Sequence, residues 1–396
     1  MTAACLALTA CTVDGVAQRG PLDLDTGRYR LEPTPAADLS EPDGAGQQAV
    51  NAAETVLLRG EVDPVLTAPA QSLPISGTNN LDALTFFTPP LVVDNRQPTT
   101  PKASAQPSSR QLRYGSMMAG RAPSDSAGEN SVQVAVVRYR DAGAARTAAG
   151  ELAAVARTNA KVNYPRVSDA VPGMTGGRSF TAGGRPSGWV SSQAVIPHGS
   201  DVVVVYAGAK GAGGRSWSAR TVVAAGAAQI DRLDRSGDAA EQPRSEAGTT
   251  LLGLSVPIVD TQDRYGNEDY VAGPRAIARN YGDSAALLEA METAGITEVA
   301  VRADDLFATR DAAAAKAFGA FMTSLLRNTG TSTVQQDSPR DLPSATCWDS
   351  GEEDAGNRYY CFLVHGRYFA QASGAALIEA QQVISAQYAI LRAAGS

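Results

Sequence analysis

Leu8-Thr9-Ala10-Cys11 puts an apolar, a hydroxylic and a small residue ahead of a cysteine. A signal peptidase can reach the bond before Cys11 because the residues beside it are small, and a cysteine sulfur alone can carry the diacylglycerol thioether such a signal requires. Cys11 is therefore read as a lipidation site and the first residue of the working protein, which would attach the chain to a membrane through its N-terminal lipid. A secretory signal also opens with a basic segment and an apolar stretch of about 7–15 residues. Only ten residues precede Cys11, none of them Lys or Arg, so residues 1–10 are read as a signal remnant whose true start lies upstream. "TVDGVAQRGPLDLDTG" follows with the polar, Gly- and Pro-bearing character of a tether, assigned to residues 11–45.

If Cys5 leaves with the signal and Cys11 takes lipid, Cys347 and Cys361 remain, and an even remainder in an exported chain predicts a disulfide between them. The two histidines, His198 and His365, are each followed by glycine and sit between two apolar runs. Two imidazoles at matching places could share one ligand, although a metal site usually needs three or four donors, and neither a metal nor another cofactor is expected. A nucleophile elbow, G-x-S-x-G, is absent, and "AGAKGAGGRS" fits neither G-x-x-x-x-G-K-[ST] nor G-x-G-x-x-G. That glycine run reads as a mobile connection, and "GMTGGRSFTAGGRPSG" as a flexible surface loop. The acidic stretches "DTQDRYGNED" and "WDSGEED" lack EF-hand spacing and read as solvated loops.

The elements that must position these residues follow from composition and periodicity. The 396 residues are 43% hydrophobic, enough for a sizeable core divided into two or three units. Lys and Arg total 34 against 41 Asp and Glu, and the absence of any basic run argues against nucleic acid as a partner. Thirteen of the 22 prolines precede residue 125, which favours turns and extended chain there. Residues 46–129 are accordingly read as one helix, "GQQAVNAAETVLLRG", and an extended Pro-rich segment.

From about residue 130 the chain repeats itself. "SVQVAVVRYRDAGAARTAAGELAAVARTN" and "EVAVRADDLFATRDAAAAKAFGAFMTSLLRN" each place an alternating strand before an Ala-rich helix. Aligning Arg140-Asp141-Ala142 with Arg310-Asp311-Ala312 also aligns Leu152 with Met322 and Arg157 with Arg327, and puts Asp141 and Asp311 at helix starts. "AVIPHGSDVVVVYAG" and "CFLVHGRYFAQASG" then repeat a strand, a His-Gly turn and a second strand, each before another helix. The predicted fold is α+β, with two tandem related modules at 130–240 and 250–396, each an antiparallel sheet with helices on one face. "GDSAALLEAMETAG" adds a helix to the second module, started by Asp283 or Ser284 and ended by Gly295.

"LDLDTGRYRLEPTP", "LLRGEVDPVL" and the C-terminal "YYCFLVHGRYFAQASG", with Gly366-Arg367-Tyr368 and Ala386-Gln387-Tyr388, resemble an uncharacterised lipoprotein family of mycolic-acid-bearing actinobacteria. That resemblance implies an anchored envelope protein and no catalytic residues. The function expected is non-catalytic binding of an envelope protein or a small lipophilic ligand at the seam of the two modules, with His198 and His365 as candidate contacts. The rivals are an envelope hydrolase with a site assembled from distant residues, and a structural scaffold.

Overall fold

Val132, Val134 and Val136 leave one face of a strand and Ala135 and Val137 the other, yet all five are buried. "VVVV" at residues 202–205 is likewise buried throughout. A strand that is apolar on both faces must be covered on both, and this sets the architecture. The computed structural model describes residues 22–39, 44–64, 66, 68–69, 73–75, 102–122, 130–211, 213–237, 239–258, 269–328, 332–351 and 357–395. Cys11 lies outside the described residues, as do residues 12–21 and 40–43 of the segment expected to be tether.

The chain opens with α1 (Gly44–Ala52), α2 (Arg59–Val62) and the short strands β1 (Ala68–Pro69) and β2 (Leu73–Ile75). There follow β3 (Leu112–Arg121), β4 (Ser131–Tyr139), α3 (Ala142–Asn163), β5 (Arg166–Asp169), β6 (Arg178–Gly183), β7 (Trp189–His198), β8 (Asp201–Lys210) and α4 (Gly214–Ser236). The second part comprises α5 (Glu246–Leu254), β9 (Tyr270–Ala272), α6 (Pro274–Ala278), α7 (Ser284–Ala294), β10 (Val299–Val301) and β11 (Asp304–Ala308). It continues with α8 (Ala312–Arg327), β12 (Val334–Gln336), β13 (Thr346–Asp349), β14 (Tyr359–His365), β15 (Tyr368–Gly374) and α9 (Leu377–Ala393).

Two antiparallel sheets result, so the class is α+β with two tandem modules. The first runs β1-β3-β4-β8-β7-β6-β5 with β2 also on β3, and the second β12-β13-β14-β15-β11-β10-β9. Read from its other end, the second sheet follows the first strand for strand: β10, β11, β15, β14, β13 and β12 stand where β3, β4, β8, β7, β6 and β5 stand. The strands before Asp141 and Asp311 are thus equivalent. Both aspartates are N-caps of nearly identical geometry, φ −158°, ψ 171° and φ −159°, ψ 173°, and they accept from Ala144 N and Ala314 N. Asp283 starts α7, accepting from Ala286 N, and Gly295 ends it at φ 72°.

Helices cover both faces of each sheet rather than one: α3 packs on Ala135, Val137, Val202 and Val204, and α4 on Val134, Val136, Val203 and Val205. In the second module α8 meets Phe307 and Phe369 on one face while α9 meets Leu306 and Ala370 on the other. The cause is the two-sided apolar character of the central strands. Strand β3 belongs to the first sheet although it precedes residue 130; Gly115, Ser116 and Gly120 interrupt the alternation that marks a strand. The two Gly-rich stretches are also more ordered than expected. Strand β6 lies within one, and in the other β8 runs through to Lys210, where a Cβ on Gly208 would stand 2.6 Å from the Trp189 ring.

Cys347 and Cys361 face each other across β13 and β14 and are joined by a disulfide inside the second core. With 14 residues of separation, the bridge limits the unfolded chain by about 3 kcal/mol in the loop-entropy picture. Changing both cysteines to Ser should lower the unfolding free energy by about that amount in urea titrations; an unchanged midpoint would show that the bridge does not stabilise the fold.

Candidate functional site

The histidines occupy the two equivalent hairpin turns, β7–β8 and β14–β15, where Gly199 and Gly366 take φ of 55° and 54°. The turn requires that left-handed residue, which explains the shared His-Gly pair. His198 Nε2 lies 2.8 Å from Asp234 Oδ1 on α4, and the His365 ring meets the edge of Tyr388 on α9 at 5.2 Å. Each imidazole is thus held by the last helix of its own module, and neither lies among the residues that form the seam. Among the described residues no group of three or more His, Cys, Asp or Glu could hold a metal ion.

The seam between the modules is closed by polar side chains from α1, α2 and the segment joining them. Gln47 exchanges both hydrogen bonds with the edge of β9, donating to Val271 O at 2.7 Å and accepting from Val271 N at 3.2 Å. Glu54 accepts from Ala276 N at 2.6 Å and Arg275 N at 3.3 Å, so its carboxylate sits at the N-terminus of α6. A Cβ on Gly273 would fall 2.6 Å from that carboxyl carbon, so glycine is needed for the approach. Burial pushes the Glu54 carboxyl upward, against the pull of those backbone N–H groups. Arg59, 1% exposed, donates to Arg279 O at 3.0 Å, and Arg279 in turn donates to Ser116 Oγ of β3. Burial lowers both guanidiniums, Arg59 to about 10. Arg275 and Glu61 add an ion pair at 2.6 Å.

Open space lies elsewhere, and the duplication locates it. The strand pair next to each His-Gly turn is Arg138 with Asp201 in the first module and Ala308 with Tyr368 in the second. In the first, Arg138 grips Asp201 through two hydrogen bonds of 2.6 and 2.9 Å. Glu241, from the turn after α4, inserts its carboxylate beside them and accepts from Arg138 at 3.0 Å, Arg113 at 3.1 Å and Tyr114 at 3.3 Å. The hydrogen bonds to Asp201 hold the Arg138 guanidinium above its ordinary range, and burial pushes the Tyr114 hydroxyl up to about 12. Only about 10 Å³ remains there, roughly the space of one water.

At the corresponding place in the second module, Ala308 and Tyr368 supply no such pair, and a cleft of about 280 Å³ stays open. Ala247, Thr250, Leu251 and Leu254 on one face of α5 form a wall; Ala308 and Tyr368 lie opposite, with Thr297, Glu298, Thr309, Arg310 and Arg367 as the polar lining. Neither histidine lines it. Sequence reasoning had noticed Arg310 and Arg367 only as repeat and family residues. The signal that could have found the cleft is the inequality of the copies, Arg138 and Asp201 against Ala308 and Tyr368.

Asp304 is the one group whose titration is moved far into the neutral range among the described residues. It is 2% exposed, accepts from Ser255 Oγ at 2.9 Å and Val256 N at 3.0 Å, and leaves Oδ2 without a partner among the described residues. Burial pushes it up to about 7. It does not line the cleft, so its role is to tie the end of α5 to β11. The folded chain keeps a proton that the unfolded chain releases between about pH 4 and about pH 7. Stability contributed by this group is therefore full below that window and lost as pH rises through it. Asp304→Asn should flatten that part of the stability profile in urea midpoints taken across the window, whereas an identical slope in both proteins would rule out the linkage.

The fold and site define a duplicated two-module α+β protein whose second copy keeps open what the first copy fills. The model of the N-terminal domain of unknown function DUF7373 matches residues 35–238, and that of its C-terminal domain matches residues 252–394. The chain belongs to the DUF7373 family. Among solved structures it is similar to the extracellular domain of PknH from Mycobacterium tuberculosis, at 13% identity over 52% of this chain and 100% of that one, with a TM-score of 0.30. No curated protein matches.

Proposed function

We propose that this chain is an exported lipoprotein, anchored through Cys11 to the outer face of the cytoplasmic membrane or the cell envelope, and that it acts there as a non-catalytic binding protein. The observation that carries the binding reading is the open second-module cleft, set against its filled counterpart in the first. Ligand sites are concave and combine apolar walls with placed polar groups, and this cleft sets Ala247, Leu251, Leu254, Ala308 and Tyr368 beside an equally large polar lining. In this reading the ligand goes to the cleft rather than to the seam first expected, and the seam's side chains join the two modules.

Anchoring is supported by the Leu8-Thr9-Ala10-Cys11 order and by the resemblance to lipoproteins of mycolic-acid-bearing actinobacteria. The Cys347–Cys361 disulfide fits an oxidising compartment, and no helix of the described residues is long and apolar enough to cross a membrane. Binding without turnover is supported by the engagement of both imidazoles away from the cleft and by the enclosure of Asp304.

Three variants test the reading. Cys11→Ser should move the chain from the membrane to the soluble fraction. Native mass spectrometry of protein from its own envelope should show a bound small molecule that survives the double change His198→Ala, His365→Ala and disappears in Ala308→Trp, which fills the cleft. Retention of the adduct in Ala308→Trp would place the ligand elsewhere, and substrate turnover lost in the double histidine variant would establish an enzyme.

A further inference from the structure

The first module shows what its half of the duplicated site is built to hold. A carboxylate, that of Glu241, enters from outside the sheet and receives two guanidinium donors and a phenol, while Asp201 neutralises the remaining face of Arg138. The second module has the same strands, the same turn and a helix wall, and among the described residues an open volume of about 280 Å³ lies where the first has Glu241. The copies differ in where the chain's own anion sits: Glu241 lies among two guanidiniums and a phenol, whereas Glu298 at the second cleft lies on the Ser245 hydroxyl.

The charges around the open cleft are unequal. Arg367 stacks over the Tyr368 ring at 5.2 Å and makes no ion pair among the described residues. Arg310 donates to Thr293 O at 2.6 Å and stands 3.6 Å from Asp311, a loose pair on an exposed face. Glu298, the lining carboxylate, is held by Ser245, the N-cap of α5, whose hydroxyl lies 2.6 and 2.8 Å from its two oxygens. Of the two guanidiniums that line the cleft, Arg310 is shared with Asp311, and Arg367 is the one without an ion pair among the described residues. A planar guanidinium prefers a carboxylate because two N–H groups can meet two oxygens at once. The same cleft is lined by Leu251, Leu254, Ala308 and Tyr368, which favour hydrocarbon. The volume is at the low end of ligand pockets, about 300–1,000 Å³, so the occupant is small.

We propose that the second-module cleft binds a small amphiphile carrying one carboxylate, its carboxylate on Arg367 and Arg310 and its apolar body on Leu251, Leu254, Ala308 and Tyr368. The proposal rests on the binding-protein reading above and specifies the chemistry of the ligand. Thr297 lines the same space and offers its hydroxyl to the same head group, while Thr250 and Thr309 already donate theirs to the carbonyls of Glu246 and of Asp311 and Arg367.

The test uses the full chain bearing Cys11→Ser and four probes of one chain length: octanoate, octyl phosphate, octanol and octylammonium, each titrated by calorimetry. Octanoate should bind tightest, Arg367→Gln should weaken it at least tenfold, Arg367→Lys should restore part of the loss, and Glu241→Gln in the first module should leave it unchanged. Octyl phosphate outcompeting octanoate would overturn the carboxylate in favour of a phosphate head group, such as a lipid supplies. Octanol or octylammonium binding as tightly as octanoate, blocked by Ala308→Trp, would overturn the charge reading while leaving a binding cleft. If none of the probes binds and Ala308→Trp leaves the native adduct in place, the cleft is not the binding site and both readings fall.

Discussion

The joint between the modules governs everything else: charged groups withdrawn from water whose hydrogen bonds run to atoms of the other module. Arg59 reaches the carbonyl of Arg279, and Glu54 reaches the first N–H groups of α6. Buried ions cost several kcal/mol each unless hydrogen-bonded, so these partners are stable only in one relative placement of the two sheets. Glycine at 120 and 273 belongs to the same constraint, since a methyl at either position would collide with Arg59 or Glu54. A seam closed in this way fixes geometry, and the open cleft among the described residues lies inside a module.

Within the modules, duplication supplies a comparison that a single domain would not. Two copies of one strand order place Arg138 and Asp201 over Ala308 and Tyr368. In the first copy the ion pair and Glu241 close the site. In the second, the loss of both charges from the strand pair opens a cleft and leaves Arg367, on the adjoining turn, facing it. The first copy is then free to serve as the fixed half of the joint, since Ser116 on its β3 receives Arg279. The disulfide occurs only in the second copy, bridging the strands that lead to the His365 turn.

Much of this was legible in the sequence, and the reasons are local. Asp141 and Asp311 begin helices because a carboxylate meets free N–H groups there, and His-Gly pairs mark turns because the second residue needs positive φ. The continuous run Val202–Val205 also announced a strand covered on both faces, although only one face of helices was expected. Strand β3 was hidden by its glycines, and the seam was hidden by distance, since Gln47 and Val271 are 224 residues apart and nothing in the pattern around Arg59 marks it as buried. The cleft is an absence of side chains, visible only when the copies are laid on one another in space.

Hydrogen exchange of the full chain, with and without a small-molecule extract of its own envelope, tests the central claim that the second-module cleft rather than the seam receives the ligand. The account predicts slowed exchange in residues 247–254 and 366–368, with residues 47–59 and 271–279 unchanged. Protection confined to the seam segments, with the cleft segments unaffected, would contradict it.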